Sequence, residues 1–180
     1  MEIDYKGEPI EQPMYKFEEE LVFSGSNNCN KKMAICIGYN PALSCKYLDA
    51  TNKRLCAQLK ELGYDGYYLF NLYPEITSHK EQLNLNDKNN INSLKYLKKM
   101  VNQKKTQCGL IILFFGRTAE LNDEQVDFLR ELIADKELDV KITTSKGEFI
   151  HPGSIGKIDL TECKLEYIRK SNGSFIRIKQ

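Results

Sequence analysis

The sequence predicts an α/β protein: a three-layer α/β/α domain around a mostly parallel, four-stranded central sheet, with a hairpin near the C-terminus. Three mainly apolar runs, at residues 33–37, 67–73 and 108–116, have the composition of strands that are covered on both faces. Segments with the 3.6-residue spacing of amphipathic helices follow these runs. Alternating strands and helices build parallel sheets through right-handed crossovers, which gives the predicted fold.

Length and composition predict a single domain over residues 1–180. A chain of this length buries a sizeable core without disulfides or metals. Its six cysteines include no C-x-x-C pair, so we expect reduced thiols and no metal site. A secretory signal pattern and an apolar run of about 18 residues are both lacking, which predicts a cytoplasmic protein that makes no membrane contact.

Charge is distributed unevenly along the chain. The net charge is +1, but residues 1–30 contain seven acidic and two basic residues, a net charge of −5, which leaves +6 for residues 31–180. This excess is too small for a protein that holds nucleic acid mainly through its phosphates, so any DNA contact should be local or the ligand small. Residues 1–14, acidic and with two prolines, are expected to form a loosely docked arm.

The first half of the predicted sheet surrounds the central run at residues 33–37. Residues 16–23 can form an edge strand before it, and residues 67–73 form the next buried strand, which Pro74 stops. Gly63 is expected to end the helix between these strands. That helix should bury three leucines at i, i+4 and i+7: Leu55, Leu59 and Leu62.

The second half repeats the strand and helix pattern. A helix capped by Asp87 should bury the apolar residues Ile91, Leu94, Leu97 and Val101. Its lysines fall on the exposed side or tail, as a solvated face or alternatively as a phosphate-binding patch: Lys95, Lys98, Lys99, Lys104 and Lys105.

A third helix, capped by Asn122 or Asp123, should follow the strand predicted over residues 108–116. Its apolar residues are Val126, Leu129, Leu132 and Ile133. Residues 140–143 form a short fourth strand. The C-terminal hairpin is expected to pair residues 165–169 with residues 175–179 around an Asn-Gly turn.

Four polar loops follow the predicted strands and should converge at the carboxyl edge of a parallel sheet, where ligands bind in open α/β folds. They are Gly38-Tyr39-Asn40-Pro41, Asn71-Leu72-Tyr73-Pro74, Gly116-Arg117-Thr118-Ala119 and His151-Pro152-Gly153-Ser154. Amides, aromatic rings, a guanidinium and an imidazole suit a flat heterocycle. The alternative is structural: the Asn residues pin turns, His151 is a hydrogen-bonded loop residue and Arg117 is solvated.

Motifs for other chemistries are missing from the sequence. It contains no Walker-type Gly-Lys-Ser and no G-x-G-x-x-G, so phosphoryl transfer and NAD chemistry are not expected. No Ser or Cys nucleophile lies near an obvious base. We therefore expect no cofactor.

The order of the motifs resembles a bacterial and phage family known only as a domain of unknown function. The motifs are Gly38-Tyr39-Asn40-Pro41-Ala42, Asp49-x-Thr51, Gly63-Tyr64-Asp65-Gly66, Asn71-Leu72, an apolar strand ending in Gly116, and His151-Pro152. The resemblance spans about residues 20–157. The chain departs from the family pattern at Ala42, where the family has Ser, and at Phe115, where it has Trp.

The same loops are similar to those of the uracil-DNA glycosylase superfamily. Gly38-Tyr39-Asn40-Pro41-Ala42 resembles a Gly-Ile-Asn-Pro-Gly loop whose Asn positions the attacking water, and His151-Pro152-Gly153-Ser154 resembles a His-Pro-Ser loop whose His stabilises the departing base. Asn71 falls where that superfamily often reads the base. The resemblance implies a uracil-DNA glycosylase-like fold.

We therefore expect a protein that binds a nucleobase or nucleotide, possibly within DNA, and hydrolyses its N-glycosidic bond. The expected catalytic residues are Asn40 and His151. The expected substrate-binding residues are Gly38, Tyr39, Pro41, Ala42, Asn71, Tyr73, Gly116, Arg117, Pro152, Gly153 and Ser154. Two alternatives stay open: a non-catalytic nucleotide- or nucleic-acid-binding module, and a protein-interaction domain that uses the acidic arm.

Overall fold

A computed structural model describes residues 15–23, 30–41, 50–77, 83–115, 121–145, 148–149, 158–164 and 167–168. The helices and strands follow one another as β1 (Glu18–Val22), β2 (Met33–Gly38), α1 (Ala50–Glu61), β3 (Gly66–Asn71), α2 (Lys88–Cys108), β4 (Leu110–Leu113), α3 (Asp123–Ala134), β5 (Asp139–Ser145), β6 (Glu148–Phe149) and β7 (Asp159–Glu162). The α/β class is confirmed.

The strands form one mixed, mostly parallel sheet in the order β1-β3-β2-β4-β5-β6, and β7 also pairs with β5. The four strands β3, β2, β4 and β5 run parallel. They are the four predicted central strands, so this part of the prediction is confirmed. The sheet is larger than predicted, because β1, β6 and β7 add antiparallel strands at its margins.

The connections reverse direction between β2 and β4. From β2 the chain passes through α1 to β3 on one side, whereas from β4 it passes through α3 to β5 on the other side. The carboxyl ends of β2 and β4 therefore flank a topological switch point. In open α/β sheets this is the crevice where ligands bind.

Helices cover both faces of the sheet, as the three-layer prediction requires. On one face, Leu55 and Leu59 of α1 pack with Ala34, Cys36 and other residues of alternate strand positions. On the opposite face, apolar residues of α2 and α3 join a larger cluster with the intervening strand positions, among them Ile35, Ile37 and Ile111. Because strand side chains alternate between faces, each central strand contributes to both clusters.

Two residues predicted to be buried are exposed. Leu62 is 48% exposed because α1 ends at Glu61, one residue before it. Ile91 is 64% exposed because Asn90 and Ser93 take the inward positions in the first turns of α2, where they bond to Glu75 and to the Leu72 carbonyl. The other predicted α2 core residues, Leu94, Leu97 and Val101, are buried.

The predicted caps of α2 and α3 are confirmed. The Asp87 side chain accepts a hydrogen bond from the Asn89 amide at the start of α2. Asn122 and Gln125 form a reciprocal capping box at the start of α3. Gly109, at a φ of 60°, ends α2 in the left-handed region, where glycine avoids the strain of a side chain.

The last two strands, β6 and β7, both pair with β5 in the antiparallel direction. Thr144 of β5 pairs with Phe149 of β6 and with Asp159 of β7, so β6 and β7 flank β5 on opposite sides. Residues 141 and 142 of β5 pair with β7 and also with β4, so β7 and β4 lie on opposite sides of β5. Strand β6 therefore lies on the β4 side, beyond the carboxyl end of β4.

Most of the hairpin predicted over residues 165–179 lies outside the described residues. Residues 1–14, predicted to form an arm, lie entirely outside them.

The described cysteines are free thiols: Cys36, Cys56, Cys108 and Cys163. Burial raises the pKa of each of them, to about 12 for Cys163 and about 11 for Cys108. Thiolates are therefore disfavoured at neutral pH. Within the described residues, no helix has the length and apolarity that crossing a bilayer requires.

Candidate functional site

Gly38, Asn71 and Phe114 meet at the carboxyl ends of the three neighbouring strands β3, β2 and β4. Gly38 pairs with Asn71 in the parallel register, and the Phe114 amide donates a 3.0 Å hydrogen bond to the Ile37 carbonyl. A Cβ atom at Gly38 would lie 2.7 Å from two carbons of the Phe114 ring and 2.8 Å from Asn71 Oδ1. The absence of a side chain at Gly38 therefore lets the amide and the ring approach each other over the strand end.

Asn71 is held close to the protein interior, with 5% of its surface exposed, and Phe114 is 3% exposed. Both belong to the sheet face that α1 covers, since Phe114 packs in the α1 cluster and Asn71 continues the alternation of Tyr67 and Leu69 in β3. A buried amide next to an aromatic ring can offer directional hydrogen bonds and an apolar wall to a flat ligand.

Asn40 lies two residues beyond Gly38, and its amide group is fixed by the backbone. Asn40 Nδ2 donates hydrogen bonds to the carbonyl oxygens of Thr77, at 2.6 Å, and of Pro41, at 3.3 Å. Both acceptors are carbonyls, which assigns the nitrogen of the amide and leaves Oδ1 as the group turned away from them. Within the described residues, Oδ1 accepts no hydrogen bond. The arrangement presents an acceptor that can bind a water molecule.

The segment that carries Thr77 is anchored by a buried polar network. Glu75 Oε2 accepts hydrogen bonds from Asn90 Nδ2, at 2.6 Å, and from the Asn84 amide, at 3.0 Å. Ser93 Oγ lies 2.5 Å from the Leu72 carbonyl oxygen. Glu75, Asn90 and Ser93 are all buried. The start of α2 thereby fixes the chain between the end of β3 and Thr77, and through Thr77 it fixes Asn40.

Tyr39 and Tyr73 belong to the core on the opposite face of the sheet. Each is 6% exposed, and their rings form an edge-to-face pair with centroids 5.1 Å apart. The Tyr73 hydroxyl donates to Gln125 Oε1 at 3.3 Å, within the capping box of α3. The backbone supports this placement, because the Tyr73 amide donates to the Tyr39 carbonyl and prolongs the β2–β3 pairing. The two rings therefore support the loops after β2 and β3 from the sheet face that α2 and α3 cover, opposite to the face of Gly38 and Asn71.

The remaining predicted site residues lie outside the described residues. They are Ala42, Gly116, Arg117, His151, Pro152, Gly153 and Ser154. Of the predicted set, the structure brings Gly38 and Asn71 together, and Asn40 and buried Pro41 lie in the loop that follows Gly38.

Sequence reasoning missed Phe114, Glu75 and Thr77. The sequence pattern places Phe114 in the apolar strand, and only the register of β2 and β4 shows that its ring covers Gly38. A signal for Glu75 is its position directly after Pro74, as an acidic residue between the apolar residues Tyr73 and Ile76. Thr77 contributes its backbone carbonyl, which no side-chain pattern could reveal.

The α1 face also contains a buried phenol. The Tyr67 hydroxyl donates to Asn52 Oδ1 at 2.9 Å, and burial raises the pKa of Tyr67. The phenol therefore stays protonated and serves as a hydrogen-bond donor that ties the start of α1 to β3. Among the described residues, no group of three or more His, Cys, Asp or Glu side chains is arranged to hold a metal ion.

Comparisons with known proteins identify the family. Searches of curated proteins and of solved structures found no match. A family model described as a protein of unknown function (DUF1643) matches residues 23–153, which include β2 to β6 and the whole of the edge described above. The match covers well over half of the 180 residues, and the chain therefore belongs to the DUF1643 family.

Proposed function

We propose that this protein binds a nucleobase at the carboxyl edge of β2, β3 and β4 and hydrolyses its N-glycosidic bond, with a fold of the uracil-DNA glycosylase type. The parallel four-stranded core with helices on both faces supports the fold assignment. The switch point between β2 and β4 supports the location.

The observation that carries the proposal is the fixed amide of Asn40. Its two N–H groups are directed to backbone carbonyls, so Oδ1 is the atom available to a water molecule. A water that donates a hydrogen bond to this oxygen presents a lone pair to the anomeric carbon of a bound nucleoside. An amide orients a water but cannot deprotonate it, so the reaction should be slow and favour bases that leave readily.

Asn71 and Phe114 supply the base-binding surface in this proposal. The amide of Asn71 pairs with one edge of the base, and the ring of Phe114 forms an apolar wall beside it. His151 retains its proposed role of stabilising charge on the departing base. A base within a duplex has to be flipped out to reach this edge.

The test is an assay of base release from oligonucleotides. Single- and double-stranded substrates carrying normal, deaminated or alkylated bases are incubated with the wild-type protein, Asn40→Ala and Asn30→Ala. Asn30 is exposed and precedes β2 at the opposite edge of the sheet, which makes it the matched control. We expect release from at least one substrate, lost in Asn40→Ala and kept in Asn30→Ala. Equal release by all three proteins, or none by the wild type, rejects the hydrolase.

A second candidate function is a nucleotide-binding module without catalysis. It is favoured by the chemistry of Asn40, whose amide can form hydrogen bonds with a ligand but cannot act as a general base. Thermal stabilisation by a free nucleotide, lost in Asn71→Ala and accompanied by no turnover, would support this module. Absence of any nucleotide-dependent shift would reject it.

A further inference from the structure

Helix α2 differs in charge from the rest of the chain. Its 21 residues include six lysines and no acidic residue, whereas the whole chain has 26 basic and 25 acidic residues. A solvated helix usually mixes both signs, which stabilises it through i,i+4 pairs. The single sign on α2 therefore needs a separate explanation.

Contacts within the protein account for three of the six lysines, all half-buried. Lys104 Nζ lies 3.7 Å from the centroid of the Tyr68 ring, and Lys98 Nζ lies 5.7 Å from that of Phe128. Lys105 forms a 3.0 Å ion pair with Asp135.

The other three lysines, Lys88, Lys95 and Lys99, are exposed, and within the described residues none of them forms an ion pair. Their spacing of seven and four residues places them on one side of the helix, about 10 Å and about 6 Å apart along its axis. They form a basic stripe about 16 Å long.

The stripe begins at the same edge of the sheet as the candidate site, on the helix layer that covers the face opposite to Asn71 and Phe114. Helix α2 starts at the carboxyl edge of the sheet, where Asn90 and Ser93 bond to Glu75 and to the Leu72 carbonyl. It ends at Cys108, directly before β4 starts at the opposite edge. Of these three lysines, Lys88 is therefore the nearest to the edge that holds Asn40 and Asn71, and Lys95 and Lys99 extend the stripe away from it.

We propose that Lys88, Lys95 and Lys99 bind the phosphate backbone of the DNA strand whose base enters the candidate site. This inference rests on the proposed function and specifies its substrate as a polymer. A stripe about 16 Å long is too long for one nucleotide, since a DNA strand rises about 3.4 Å per phosphate, so it contacts several successive phosphates. Phosphate contacts of this kind position the strand without reading its sequence.

A membrane surface fits the stripe less well than DNA does. Amphipathic helices that bind membranes turn an apolar face outwards, whereas α2 buries Leu94, Leu97 and Val101 in the protein core. Ile91 is the exposed exception, on the same side as Lys88 and Lys95. An aliphatic side chain between cations can contact a sugar or a base while its neighbours hold phosphates.

The test measures DNA binding as a function of salt. Fluorescence anisotropy with labelled single-stranded and duplex oligonucleotides, from 50 to 200 mM salt, compares the wild type with two triple variants. One is Lys88→Gln/Lys95→Gln/Lys99→Gln. The control is Lys31→Gln/Lys136→Gln/Lys164→Gln, which removes the same charge from exposed lysines near the opposite edge of the sheet. Urea unfolding verifies that both variants are folded.

At 50 mM salt, we expect the Lys88→Gln/Lys95→Gln/Lys99→Gln variant to bind DNA at least about tenfold more weakly than the wild type, for oligonucleotides of any sequence. The magnitude of the slope of log K against log salt should decrease by about 2 to 3. The control should keep the wild-type slope. Equal losses in both variants, or wild-type binding that does not depend on salt, overturns the proposal. So does lysine-dependent binding to phosphatidylserine vesicles or RNA without binding to DNA.

The result is separable from that for hydrolysis. Asn40→Ala removes no cation and should bind DNA with the wild-type slope. One outcome separates the two proposals. If the wild type releases no base, but the salt dependence of DNA binding is reduced in the stripe variant alone, the proposed reaction is rejected and the DNA-binding role of the stripe is supported.

Discussion

Asn40 Nδ2 donates a 2.6 Å hydrogen bond to the carbonyl oxygen of Thr77, 37 residues further along the chain. This bond joins the loop after β2 to the segment after β3, on either side of the strand ends where Gly38 meets Asn71. It gives the amide of Asn40 a single orientation. The stability of the loop and the chemistry available at the edge therefore depend on the same bond.

The first prediction concerns the direction of this bond. Asn40→Ala removes two donors and should lower the free energy of unfolding by about 1 kcal/mol. Asn40→Asp places a carboxylate against two carbonyl oxygens and should cost more, about 1–3 kcal/mol at pH 7, with partial recovery as the carboxyl group is protonated at low pH. Urea unfolding measures both, with Asn30→Asp as the control. Equal stability of the Ala and Asp variants would contradict the assigned orientation.

The second prediction concerns the space above Gly38. The Cβ of Gly38→Ala would overlap the Phe114 ring and Asn71 Oδ1, both of them buried, so it should destabilise the fold by about 1–3 kcal/mol. Phe114→Leu should relieve part of the overlap. A double-mutant cycle of the two substitutions should give a favourable coupling of about 0.5–3 kcal/mol. Additive effects would show that the ring does not limit the space at Gly38.

The third prediction concerns Glu75. Both of its donors bond to the same oxygen, so Glu75→Gln can keep an acceptor in place and should be tolerated better than Glu75→Ala. Glu75→Ala leaves Asn90 Nδ2 and the Asn84 amide without this partner and should cost about 1–3 kcal/mol. Urea unfolding measures stability, and the side-chain amide signals of Asn40 in NMR spectra report on the loop. A shift of these signals in Glu75→Ala but not in Glu75→Gln is expected. Unchanged Asn40 signals in both variants would mean that Glu75 does not influence the conformation of the Asn40 loop.

The fourth prediction concerns pH. Burial raises the pKa of Cys163 to about 12, whereas a thiol in the unfolded chain titrates near about 8.5. The unfolded state therefore loses its proton first, and the thiol's contribution to stability is complete below about pH 8.5 and is lost progressively up to about pH 12.

Cys163→Ala is the variant that isolates this effect. Between pH 8 and pH 10, its free energy of unfolding should fall by about 1–2 kcal/mol less than that of the wild type. Urea unfolding at the two pH values measures the difference, and Cys56→Ala, at a partly exposed thiol, is the comparison. A constant difference between wild type and Cys163→Ala across this range would mean that the thiol ionises in the folded protein as it does in the unfolded one.

Local sequence patterns were sufficient for the elements of the parallel core. The apolar runs around Ile35, Leu69 and Ile112 specified β2, β3 and β4, because strands buried on both faces need apolar side chains at successive positions. Asp87 and Asn122 marked helix starts through local side-chain to backbone bonds, which depend on few neighbours.

The helical spacing of apolar residues predicted burial incorrectly at the start of α2. Ile91 has the spacing of a core residue, but it belongs to the first turn of α2, where Asn90 and Ser93 face inward to satisfy Glu75 and the Leu72 carbonyl. Periodicity describes which side of a helix a residue is on. It does not describe what lies opposite that side.

The candidate site also combines features that the sequence predicts with features that only the tertiary structure determines. The sequence by itself determined that Asn40 and Asn71 follow buried strands, since each lies at the end of an apolar run bounded by Gly38, Pro41 or Pro74. Only the tertiary structure decided that Asn71 shares the α1 face with Phe114 above Gly38, and that Tyr39 and Tyr73 pack together on the other face. The physical reason is that strand order, register and the alternation of side chains are set by contacts between segments far apart in sequence, which no single segment encodes.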